Sequence, residues 1–275
     1  MQQATIAFIG GGNMATSLIG GLIADGLSPA RLVVSEPRAE RRAWLAERFG
    51  VVVVEDNRRA VEGADVVVLA VKPQVMQGVL EALGPSLRAA RPLVISIAAG
   101  LRTDALLRWI GGSVPLVRCM PNTPALVQSG VTALYAMPEV AAAQRDLAES
   151  ILRAVGITLW VDDERLLDAV TALSGSGPAY CFLLMEALQA AGERLGLPAD
   201  QARLLTLQTV FGAAKMALES AEGPESLRVR VTSPGGTTER ALAVFEAGGF
   251  RELVARAVAA AAERSRELAD ELGGP

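Results

Sequence analysis

"ATIAFIGGGNMATSLIGGLIADG", residues 4–26, decides the fold. Residues 4–10 read as a short strand buried on both faces. Residues 13–26 carry apolar side chains at helical spacing and end in Gly26. At the junction stand Gly10, Gly12 and Ala15, in the arrangement G-x-G-x-x-A. In a strand–turn–helix context the first glycine permits the tight turn and the second lets backbone approach a pyrophosphate. The small third residue lets helix and strand pack closely. Free N–H groups and the dipole at the helix start favour an anion. Ile9, Gly10, Gly11, Gly12, Asn13 and Met14 are therefore expected to line the phosphates of a dinucleotide. The bland alternative, a glycine turn with no ligand, is disfavoured by that context.

Working outward, strands and helices alternate. Residues 31–36, 51–55, 64–71, 92–99 and 115–120 read as nearly all-apolar strands, and 131–136 and 157–161 extend the set. Helices are expected at 38–50, from about Gln74 to Leu83, and between Pro138 and Val155. This pattern implies an α/β, Rossmann-like, doubly wound parallel sheet covered on both faces. After Asp162 no strand pattern remains. Ala- and Leu-rich stretches at 164–173, 178–196, 199–220 and 250–272 indicate an all-helical second domain. The expected division is 1–162, binding a dinucleotide, and 163–275, helical. In "AVTALSGSGPAY" (169–180) a helix is expected to stop at Ser174–Gly177 and a long one to start at Pro178.

Composition narrows the chemistry. The chain has 275 residues, a net charge of −4 and no histidine. Its two lysines, Lys72 and Lys215, stand against 24 arginines. Histidine acid–base chemistry and histidine metal ligation are excluded, and general attraction to nucleic acid is not expected. Cys119 and Cys181 have no metal-ligand spacing and read as buried free thiols; no metal is expected. No apolar run matches a membrane span, and Met1–Thr5 lacks the basic start of a signal peptide, so the protein is expected in the cytoplasm.

Ligands of open α/β sheets lie beyond the carboxyl ends of the strands. Glu36 ends the second strand, 21 residues after Ala15, where an acid binds a ribose diol. Ser35 before it and Arg38 after it suit a 2′-phosphate instead. Asn57 follows the third strand, and "AVKPQ" brings Ala70, Val71 and Lys72 to the end of the fourth. "SIAAG" (96–100) and "MPNTPA" (120–125) close two more, with small residues that leave room for a flat ring.

"FIGGGNMA", "AVKPQ", "SIAAG", "RCMPNTPA", "DAVTALSGSGPAY" and "VTSPGGTTERAL" follow one another along the chain. Together they closely resemble the Δ1-pyrroline-5-carboxylate reductase family, over essentially the whole length. The resemblance implies an N-terminal Rossmann domain and a C-terminal helical domain that interlocks with a second chain. The homodimers often assemble into larger rings. It implies hydride transfer from NADPH, preferred over NADH, to the C=N carbon of 1-pyrroline-5-carboxylate, giving L-proline. Ser35 and Asn57 would meet the adenosine phosphate end, and Ala98, Met120 and Asn122 the nicotinamide. Glu164, Ser174, Gly175, Gly236, Thr237 and Thr238 would meet the substrate. Ser176 and Thr238 are the expected catalytic hydroxyls, with free N–H groups from Gly236 to Thr238 holding the carboxylate at a helix start. Arg230 stands where some relatives carry a small amide that reaches the cofactor. Two other readings stay open: a β-hydroxyacid dehydrogenase, which lacks its usual lysine here, and a dinucleotide-binding module without catalysis.

Overall fold

The computed structural model describes residues 3–274; Met1, Gln2 and Pro275 lie outside the described residues, and the reading of Met1–Thr5 falls partly on them. The first half runs β1 (Ile6–Ile9), α1 (Asn13–Ala24), β2 (Leu32–Ser35), α2 (Ala39–Phe49), β3 (Val52–Val54) and α3 (Asn57–Val61). It continues with β4 (Val66–Leu69), α4 (Pro73–Ala90), β5 (Leu93–Ser96), α5 (Thr103–Ile110) and β6 (Leu116–Met120). Then come β7 (Gly130–Ala136), α6 (Ala142–Arg153) and β8 (Gly156–Trp160). The strands form one sheet in the order β3-β2-β1-β4-β5-β6-β7-β8. Alternation along β1 sends Ile6 and Phe8 to one face, where Leu18, Ile19, Leu45 and Ile151 cover them. Ala7 and Ile9 face the other side, under Met76, Leu80, Leu83 and Leu106. The sheet is thus doubly wound, and both layers are dry.

Two expectations need correction. The sheet is not wholly parallel, because β7 runs antiparallel to β6. Residues 121–129 join the two strands, fewer than the dozen or so that a parallel crossover takes. Next, α4 continues past Leu83 and through Pro85 to Ala90. Its buried row, Met76, Leu80, Leu83 and Leu87, spans the proline, and that burial outweighs a break costing about 3 kcal/mol. The segment that forms α5 was not read as a helix, although Ala105, Leu106, Trp109 and Ile110 line one face of it. The expected helix stop within Ser174–Gly177 is present: after α7 (Leu166–Val170) the chain winds through a π turn, Thr171–Gly175, bends at Ser176 and starts α8 (Gly177–Arg194) one residue before Pro178.

The remaining helices are α9 (Ala199–Glu219), α10 (Pro224–Arg230), α11 (Thr237–Ala247) and α12 (Phe250–Gly273). By packing, the chain divides into two units: residues up to Ser176 together with those from Ala261 onward, and Gly177–Ala260. In the first, Ser265 on α12 donates to the buried carboxylate of Asp168 on α7 at 2.7 Å. The second has little core of its own. Among its described residues only Ala202 and Thr206 are buried, while Phe182, Leu183, Leu204 and Phe211 are more than half exposed. No helix among the described residues is long and apolar enough to cross a membrane.

Glu164 ties the first unit together. Its Oε1 accepts from the Thr103 backbone N–H at 2.8 Å and from the buried Arg118 guanidinium at 2.9 Å. Its Oε2 accepts from the Thr103 hydroxyl at 2.7 Å. The carboxylate therefore meets the first turn of α5 and neutralises a charge on β6. Glu164→Ala strands that guanidinium and is expected to lower the unfolding free energy by about 3–5 kcal/mol. Glu164→Gln, which keeps an oxygen for Thr103, is expected to lose less; chemical denaturation of the two variants checks the order.

Candidate active site

Strands β1, β2, β4, β5 and β6 are mutually parallel, so their carboxyl ends share one edge of the sheet. The strand order reverses between β1 and β4, which is where ligands of such sheets sit. Gly10 turns there with φ +102°, and a Cβ on it would stand 2.8 Å from the Ala70 carbonyl oxygen. Only glycine meets both conditions. Gly12 caps α1 with extended backbone, and a Cβ on it would meet nothing within 4 Å. Open space thus lies over the first turn of a twelve-residue helix, next to Asn13 and Met14. That space and the helix start suit a pyrophosphate.

At the end of β2, Ser35 is buried and its hydroxyl donates to Asn57 Oδ1 at the start of α3. Glu36 is 4% exposed, and its carboxylate turns back toward the glycine loop. Its Oε2 accepts from the Gly11 N–H at 3.2 Å, and its Oε1 from Arg38 Nε at 2.8 Å and Arg38 N at 3.2 Å. Burial pushes this carboxyl up, but the hydrogen bonds from Arg38 and Gly11 and the Arg38 charge outweigh it, and the net direction is down. The Arg38 side chain is 70% exposed. Arg41 donates to the Gly11 carbonyl at 2.8 Å, and Arg42 to the Glu36 and Pro37 carbonyls at 2.8 and 2.7 Å. These two arginines brace the loops around Glu36.

Farther along the edge, Ala70 and Val71 are half-buried, and Lys72 is exposed as the residue before α4. Ala98 is buried, its N–H near Ser96 Oγ at 3.4 Å. Met120 ends β6, Asn122 lies two residues beyond it, and both are brought against the π turn. Asn122 Nδ2 lies 3.3 Å from both the carbonyl and the hydroxyl of Ser174. A Cβ on Gly175 would stand 2.5 Å from the methyl of Met120. Ser176 donates its backbone N–H to Thr171 O at 2.9 Å, closing the π turn. Cys119 is buried beside Ser96, and burial pushes its thiol well above the usual range. Cys181 is exposed on α8, contrary to the reading of both thiols as buried.

Gly236, Thr237 and Thr238 belong to the helical unit. Gly236 is the residue before α11, and Thr237 and Thr238 open that helix. The Gly236 N–H donates to Ser233 O at 3.0 Å, which corrects the expectation of a free group there. The N-cap is Gly236, and no side-chain cap bond forms there. Glu239 closes the turn by accepting from Gly235 N at 2.8 Å.

Residues 164–268 match the family model described as pyrroline-5-carboxylate reductase dimerisation, and residues 5–100 that of the NADP oxidoreductases, coenzyme F420-dependent. The pyrroline-5-carboxylate reductase of Pseudomonas aeruginosa is 56% identical over 99% of this chain and 100% of its own. The structure of a pyrroline-5-carboxylate reductase from Coxiella burnetii superposes with a TM-score of 0.93 at 49% identity, over 97% of this chain and 99% of that one. A pyrroline carboxylate reductase from Plasmodium falciparum, solved with NADP bound, gives 0.87 at 30% identity over 98% and 100%. Likeness at this level, running from one end to the other, assigns the chain: it belongs to the pyrroline-5-carboxylate reductase family.

Proposed function

We propose that the protein reduces 1-pyrroline-5-carboxylate to L-proline in the cytoplasm, with NADPH preferred and NADH accepted. The observation that carries this reading is the full-length likeness to pyrroline-5-carboxylate reductases, joined to a glycine loop at the strand-order reversal. The bound dinucleotide supplies a hydride to the C=N carbon, and the ring nitrogen takes one proton. With no histidine in the chain, an imine that arrives protonated needs only to be oriented. Ser176 and Thr238 are the hydroxyls assigned to that task. The N–H groups of Thr237 and Thr238 hold the carboxylate at the start of α11. Following NADPH absorbance with and without the imine tests the whole reading, since neither a β-hydroxyacid dehydrogenase nor a silent binding module would respond.

The helical part, 163–275, is assigned to substrate binding and to a homodimer, with rings of dimers as the larger form. A unit whose described residues bury so little apolar surface needs a second copy to cover it. Light scattering at assay concentration is expected to show a dimer or larger species; a fully active monomer would overturn the assignment.

Two substitutions probe the site. Arg38 neutralises Glu36 and is exposed enough to meet a 2′-phosphate. Arg38→Ala is expected to raise the KM for NADPH about tenfold, the equivalent of one charge-assisted bond, and to leave NADH within about twofold. Equal loss for both cofactors would exclude a phosphate role. Thr238→Ala is expected to lower kcat about tenfold, since roughly 1.4 kcal/mol of transition-state bonding is lost. Its melting temperature should hold, because the side chain caps nothing. A drop in melting temperature with kcat intact would reverse that assignment.

A further inference from the structure

A π turn is rare in helices, and it gathers at functional sites. Here it coincides with a proline. Pro178 has no N–H, so the carbonyl four residues earlier, on Ser174, has no α-helical donor. Asn122 supplies one: its Nδ2 lies 3.3 Å from Ser174 O and 3.3 Å from Ser174 Oγ. The other end of the amide accepts from the Val131 backbone N–H at 2.9 Å. That N–H can only donate, so the amide has one consistent orientation, oxygen toward β7 and nitrogen toward the π turn. Both contacts of Nδ2 and the bond accepted from Val131 are made inside the first unit, which leaves the amide only the second lone pair of Oδ1. Asn122 is half-buried and lies two residues beyond β6, so it spans from the sheet edge to the helix. Met120 lies on the same turn, its methyl filling the place where Gly175 lacks a side chain.

We propose that Asn122 is a positioning residue for the reduction: it holds the π turn in register with the sheet edge and does not use its amide to bind the nicotinamide. The proposal rests on the reading that Ser174–Ser176 line the imine. If the turn relaxed to α geometry, the ladder would slip by one residue, about 100° of rotation, and Ser176 would point elsewhere relative to Thr171. The geometry of the hydroxyls thus depends on a bond made from another element.

The test compares Asn122→Asp, Asn122→Ala and Ser176→Ala in the full chain, with kcat and KM for the imine, Kd for NADP+ and melting temperature. Asn122→Asp keeps an oxygen for Val131 and replaces the donor to Ser174 with a charged oxygen that repels that carbonyl. It is expected to lower kcat about tenfold, as a 1.4 kcal/mol misalignment would, with NADP+ Kd and imine KM within about twofold. Asn122→Ala is expected to be at least as slow and less stable. Asn122→Asp with wild-type kcat beside a slow Ser176→Ala would overturn the proposal alone. An NADP+ Kd raised tenfold at unchanged kcat would make Asn122 a cofactor ligand and overturn it as well. If Asn122→Asp and Ser176→Ala both keep wild-type kcat, the underlying reading fails and the proposal falls with it.

Discussion

Gly10 turns at the end of β1, beside the end of β4, and a side chain there would strike the Ala70 carbonyl 2.8 Å away. That contact brings the loops after β1 and β4 together at the one place where the strand order reverses. The rest of the site is arranged around it. The Gly10 N–H donates to Ser35 O at 2.8 Å, which sets the end of β2 beside the loop. Glu36 then reaches back to Gly11, and Arg41 closes over the Gly11 carbonyl. The loop is held by protein groups on two sides and left open over Gly12, which is the requirement for a site that binds phosphate through backbone.

The two units differ in how they meet the cost of ordering a chain. The sheet unit buries whole layers of Val, Ile and Leu on both faces and is stabilised from within. The helical unit, with most of its large apolar side chains exposed in a single chain, depends on association. Its match to a dimerisation model fits that physical demand. An enzyme of this design ties the stability of one part to protomer concentration, while the dinucleotide fold stands by itself.

Absence of histidine gives the chemistry its character. Apart from the exposed Lys72, the sheet edge carries carboxylates and arginines engaged with one another: Glu36 with Arg38, Glu164 with Arg118. These pairs shape loops. What remains near Met120 and Asn122 is a set of hydroxyls, carbonyls and small residues on a π turn. Such groups orient a substrate well and exchange protons poorly, which suits the reduction of an imine that is readily protonated before it binds.

Much of this was legible in the residues. Continuous apolar runs separated by helical spacing specify a doubly wound sheet, because strands buried on both faces have no polar side. The glycine loop was legible because only one local geometry needs glycine, glycine and a small residue at that spacing. Asn122 and the Ser174 segment were visible as motifs, but not their bond, since they lie on elements far apart in sequence. The antiparallel turn of β7, the continuation of α4 through Pro85 and the π winding of Thr171–Gly175 also needed tertiary structure. In each case a local signal for ending or direction was overridden by burial or by a donor from another element. The sequence by itself determined the elements and the nucleotide loop, since both follow from contacts between near neighbours. Only the tertiary structure decided which acids pair inward and what holds the π turn, because those depend on groups that meet only once the sheet and helices have packed.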